Sequence, residues 1–76
     1  MEWITVRFPR VRDVFVAGRR TGQTNALLIV REGTQVFSLG TPPDYTPSKR
    51  KVRVTKTSEA NPMIIPFTPT DTAGNG

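Results

Sequence analysis

Hydrophobic and polar residues alternate along most of this chain, and a period of two is the signature of strands with one buried face. In Trp3-Ile4-Thr5-Val6-Arg7-Phe8, Ile4, Val6 and Phe8 share one side; Thr5 and Arg7 take the other, with Trp3 beside them. Pro9 ends this strand, because proline has no N–H to give to a ladder. A second strand is expected over about Arg12 to Ala17, with Val14 and Val16 in phase. Ala26-Leu27-Leu28-Ile29-Val30 is a continuous apolar run, too short for an ordinary helix, and reads as a covered central strand. Gly33 supplies the positive φ that a tight hairpin turn or an adjacent bulge needs. The next strand, Thr34 to Leu39, sets Phe37 and Leu39 on one face and Val36 opposite.

Pro42, Pro43 and Pro47 make the stretch from Gly40 to Pro47 a loop or crossover, since it can continue neither a sheet nor a helix. Lys49 to Lys56 alternates most cleanly, with Val52 and Val54 one way and Lys51, Arg53 and Thr55 the other. Pro62 to Phe67 keeps Met63, Ile65 and Phe67 in phase, but its prolines confine it to a sheet edge. The polar stretch from Thr68 onward reads as a disordered tail. The chain is thus expected to be all-β: a small antiparallel β-sandwich of about six short strands over residues 1–67, with a flexible tail over 68–76.

The stretch Val16-Ala17-Gly18-Arg19-Arg20-Thr21-Gly22-Gln23-Thr24 resembles a shortened phosphate-binding loop. Such a loop needs a Lys for the phosphate oxygens and must open a helix. Here Gln23 stands where the Lys belongs, and a β-prone run follows. The stretch therefore reads as a hairpin turn, with Gly18 and Gly22 as left-handed corners and Arg19, Arg20 and Thr21 as its exposed tip. The two arginines there also discourage edge pairing.

Composition narrows the chemistry. With 76 residues there is room for one domain, and a domain this small hides only about 60% of the surface its unfolded chain exposes. There is no Cys and no His, which removes disulfides, Cys/His zinc sites and Ser-His or Cys-His catalysis. The acids are scattered singly, so neither a carboxylate pair nor a calcium loop is expected. The chain is read as a non-enzyme with no cofactor and no metal. A formal charge of +5 makes nucleic acid or an anionic surface an arguable partner. No run of about 18 apolar residues is present, so membrane insertion is not expected. If Met1 is the native start, the absence of a secretory signal points to the cytoplasm.

A resemblance adds to this reading. Val14-Phe15-Val16-x-Gly18-x-x-x-Gly22-x-Thr24, then Leu27-x-Ile29, Glu32-Gly33-Thr34, Val36-x-Ser38-Leu39 and Tyr45, resembles the PEGA domain over about residues 14–45. Ala17 departs from the family's usual Asp, Asn25 from its Pro, and Gln35 from its frequent His or Tyr. The resemblance implies a small antiparallel β-sandwich that is generally non-enzymatic and often attached to bacterial envelope proteins. The matching residues are structural, so no binding site comes with them.

Two functional readings follow. One is a non-catalytic module that binds protein or glycan through Trp3, Tyr45 and the Arg19–Arg20 tip, since Trp, Tyr and Arg are enriched at binding hot spots. The alternative is a small basic β-barrel that binds nucleic acid through Lys/Arg patches, with Lys51 and Arg53 sharing one outward face. That patch shows no interleaved aromatic in the sequence. The chain is expected to be a monomer or a weak homo-oligomer, with Pro62 to Phe67 as the strand that would add to a neighbour's sheet.

Overall fold

The computed structural model describes residues 1–70, and no helix is present among them. Nine strands follow in chain order: β1 (Glu2–Arg7), β2 (Asp13–Val16), β3 (Arg19–Gln23), β4 (Leu27–Val30), β5 (Gly33–Ser38), β6 (Tyr45–Thr46), β7 (Arg50–Val54), β8 (Met63–Pro66) and β9 (Thr68–Pro69). They form a three-stranded sheet in the order β4-β1-β8, a four-stranded sheet in the order β3-β2-β5-β7, and the short pair β6-β9. The all-β fold expected from the alternation is present.

One core joins the sheets. Ile4, Val6, Leu28, Val30 and Ile65 from the three-stranded sheet meet Val14, Phe37 and Val54 from the four-stranded sheet. Phe8, Leu39, Tyr45 and Phe67 close the end near the short pair. Most residues in phase along the sequence are buried, and Val16, Val52 and Met63 pack half-buried against them, because each sheet hides a single face and period-two alternation selects it.

Several expectations are corrected. The pairing of β1 with β8 is parallel, with Ile4 opposite Met63 and Val6 opposite Ile65, whereas the other pairs are antiparallel. Ala26 to Val30 does not form a covered central strand: β4 lies at a sheet edge, with Leu28 and Val30 turned inward and Leu27 and Ile29 exposed. Thr68 and Pro69 pair with Tyr45 and Thr46, and Thr70 N–H donates to Asp44 O at 2.9 Å, so these three are not a tail; 71–76 lie outside the described residues.

The hairpin also differs in detail. Its two-residue turn is Ala17-Gly18, with φ of 52° and 81°, the pair of positive values a type I′ turn requires. Arg19, Arg20 and Thr21 are therefore strand residues of β3 rather than a tip. Thr21 is the extra residue of a bulge, since Val14 faces Gly22 while Phe15 faces Arg20. Gly22 has no positive φ; it is small because a Cβ there would overlap the Leu28 side chain of the opposite sheet. Gly33 does have a positive φ of 116°, but it carries the chain from β4 to β5 in the other sheet rather than around a hairpin.

Asn25 explains one departure from the PEGA pattern. Its φ is 61°, its N–H donates to Val6 O at 2.7 Å, and its side-chain amide donates to Phe8 O at 2.7 Å. Proline offers neither that φ nor that donor. Beside it, buried Thr24 accepts from Arg12 N–H and donates to Arg10 O.

Gly22→Ala is expected to lower unfolding stability by about 1–3 kcal/mol through overpacking on Leu28. Ala17→Asn, which suits a left-handed position, is expected to raise it by about 0.5–1 kcal/mol. Urea denaturation of both variants checks this; opposite signs would place the strain elsewhere.

Candidate functional site

Because each sheet buries one face, the chemistry available to a partner lies on the outward faces, and the two differ in kind. On the three-stranded sheet, Trp3 stands opposite Ile29, and Thr5 stands between Leu27 and Ile64. Leu27 and Ile29 on β4 and Ile64 on β8, the two strands that flank β1, are 46%, 53% and 47% exposed, unusual for large aliphatic residues. Trp3 is half-buried among them. Arg7, opposite Pro66, borders this apolar surface.

The outward face of the four-stranded sheet is cationic. Arg20 faces Phe15, Val36 faces Lys51, and Thr34 faces Arg53. Phe15 packs over Gly40, where an added Cβ would come within 2.7 Å of the ring. The structure thus supplies the aromatic that the Lys/Arg pattern lacked in the sequence: four strands separate Phe15 from Lys51 along the chain, and only the sheet, with β5 between them, brings them to one face. Arg20 Nε lies 3.2 Å from Asp13, an exposed pair worth at most about 1 kcal/mol.

The remaining candidates do not gather. Tyr45 is 8% exposed, and its hydroxyl accepts from Leu39 N–H at 3.2 Å. Its ring meets Phe8 and Phe67 edge-on, with centroids at 6.4 and 5.5 Å. It is a core residue and not a contact residue, which corrects the expectation of a Trp3–Tyr45 surface. Arg19 stands away from Lys51 and Arg53, beside a cleft of about 350 Å³ between β3 and β4. Gly18, Gly22 and Gly33 are structural. Leu27, Ile29 and Ile64 were missed: the unbroken run Leu27 to Val30 reads as covered although its residues split evenly between two faces, and Ile64 is the out-of-phase residue between Met63 and Ile65.

The polar side chains with shifted titration hold loops. Arg12 pairs with Asp44 and donates to Pro42 O at 2.8 Å, while its guanidinium lies 5.6 Å from the Tyr45 ring centroid. Arg10 reaches the same carboxylate at 3.2 Å. The hydrogen bond from Arg12 holds the Asp44 carboxyl below its ordinary value, with the charges of Arg12 and Arg10 adding to it. Hydrogen bonds from the Thr57 hydroxyl and N–H do the same for Glu2. Among the described residues, no three His, Cys, Asp or Glu side chains converge on a metal position.

No protein-family model, no curated protein and no solved structure matches the chain. The PEGA resemblance accordingly rests on the residues quoted for it.

Asp44 gives a pH dependence of known sign. A carboxyl whose folded-state value is depressed stabilises the fold above its ordinary range, and that contribution is lost as pH falls through the folded value. Asp44→Asn is expected to be less stable than the parent at neutral pH, with the gap narrowing below about pH 4. Denaturation midpoints at several pH values measure this, and a gap independent of pH would contradict it.

Proposed function

We propose that the chain is a non-catalytic, PEGA-like β-sandwich module that binds a protein partner through the outer face of its three-stranded sheet. One observation carries the reading: Leu27, Ile29 and Ile64 lie exposed on one outward face, around Thr5 and beside the half-buried Trp3. Covering a half-exposed aliphatic side chain stabilises a complex by about 1 kcal/mol, and Trp is the residue most often found at the centre of such contacts. Aliphatic side chains in this number suit an apolar protein surface better than a glycan. The lack of His and Cys supports a binding role rather than a catalytic one. The glycines of the PEGA-like pattern fall on the β2–β3 hairpin, consistent with a structural role for that pattern.

A second reading has its own observation. Phe15 shares an outward face with Arg20, Lys51 and Arg53, a combination that suits stacked bases and phosphates.

Peptides selected from a displayed library on the native chain distinguish the two. Ile64→Glu is expected to weaken their binding by about tenfold or more, while Lys51→Glu/Arg53→Glu leaves it unchanged. Loss in the second variant only would refute the apolar-face reading. Binding of single-stranded DNA that shifts the Phe15 amide and persists at about 0.2 M salt would put the second reading in its place.

A further inference from the structure

The four outer strands of the two sheets are not protected alike. Natural sheets blunt their edges with charge, proline or bulges, because an open edge accepts any passing strand. The edge strand β3 carries Arg19, Arg20 and the Thr21 bulge; β7 carries Lys51 and Arg53; β8 contains Pro66 and follows Pro62. The fourth, β4, reads Leu27-Leu28-Ile29-Val30, with neither charge nor proline, and its ladder with β1 runs in continuous register. Its only strand partner among the described residues is β1, so its second edge presents unpaired backbone groups.

That edge borders the cleft between β3 and β4, whose lining includes Ile29, Val30, Arg19 and Arg31. Neither arginine meets a carboxylate among the described residues, unlike Arg10, Arg12 and Arg20. We infer that this cleft is a strand-acceptor site for an extended peptide that alternates aliphatic and acidic side chains. The inference rests on the protein-binding reading and names the kind of partner. A strand added to β4 alternates its own side chains between two faces. One set continues the apolar surface beside Leu27 and Ile29; the other turns toward the four-stranded sheet, where Arg19 of β3 lines the cleft, and Arg31 stands at the end of β4 just beyond Val30. Aliphatic residues suit the first set and carboxylates the second, so the order of residues in the ligand follows from the geometry of the edge.

The test is an amide-shift titration of the intact chain with a capped seven-residue peptide alternating Val and Glu. Controls are the same peptide with Lys for Glu, and with N-methylation at alternate residues to remove the donors of one edge. Shifts and slowed exchange at Leu27 to Val30 are expected for the Val/Glu peptide only. Arg19→Ala or Arg31→Ala should each weaken it by up to about fivefold, the range of an exposed ion pair. No response at β4, equal binding of the Lys peptide, or equal binding of the N-methylated peptide would each overturn the inference. Ile64→Glu separates it from the apolar-face reading, because Ile64 lies on β8, at the opposite edge of the same sheet. If library peptides tolerate Ile64→Glu, the face reading fails, while strand addition still stands or falls on the β4 response.

Discussion

One-sided burial is the constraint from which the rest of this structure follows. The chain is 36% hydrophobic over 76 residues, enough to fill the space between two sheets but not to cover them outside as well. Ile4 and Val6 on the middle strand of one sheet are sealed against Val14, Phe37 and Val54 of the other, and all five are fully buried. The outer faces are then free to differ. One is cationic, with Arg20, Lys51 and Arg53; the other keeps Leu27, Ile29 and Ile64 in water. Retaining apolar side chains outside while the core is this small makes physical sense if something covers them.

A core of this size leaves the loops in need of other fastenings, and polar side chains provide them. Arg12 joins Asp44, Pro42 O and the Tyr45 ring, and so fixes the proline-rich loop against the turn after β1. Thr24 and Asn25 extend strand-like hydrogen bonding to residues 8–12 with their side chains. Glu2 and Trp3 N–H meet Thr57, tying the start of β1 to the chain beyond β7. The hydrogen bonds of Thr24 and Asn25 each contribute on the order of 1 kcal/mol, which matters in a domain whose stability is only several times that.

Alternation made most of the fold legible, because β1, β2, β5 and β7 each bury one side. It failed where the pattern carries no directional information. Leu27 to Val30 has no polar residue to mark its outer face, so a sheet edge looked like a sheet centre. Arg19 to Thr21 looked like a turn because strand β3 is almost wholly exposed, and an exposed strand has no apolar phase to read. The parallel pairing of β8 with β1 is a matter of long-range topology, as is the arrival of Thr68 and Pro69 beside Tyr45. The candidate surface was legible only at Trp3. Its other members, and Phe15 on the cationic face, became neighbours through register, which no single strand encodes.

The proposed function gives the two faces different roles: under it, the apolar face with its open β4 edge meets a partner, and the cationic face does not. Covalent footprinting with a diazirine-derived carbene, applied to the free chain and to the chain in its native extract, tests that division most directly. Protection of Trp3, Leu27, Ile29 and Ile64, with Lys51 and Arg53 labelled as in the free chain, is the result predicted. Protection of Lys51 and Arg53, with the apolar face as open as before, would contradict it.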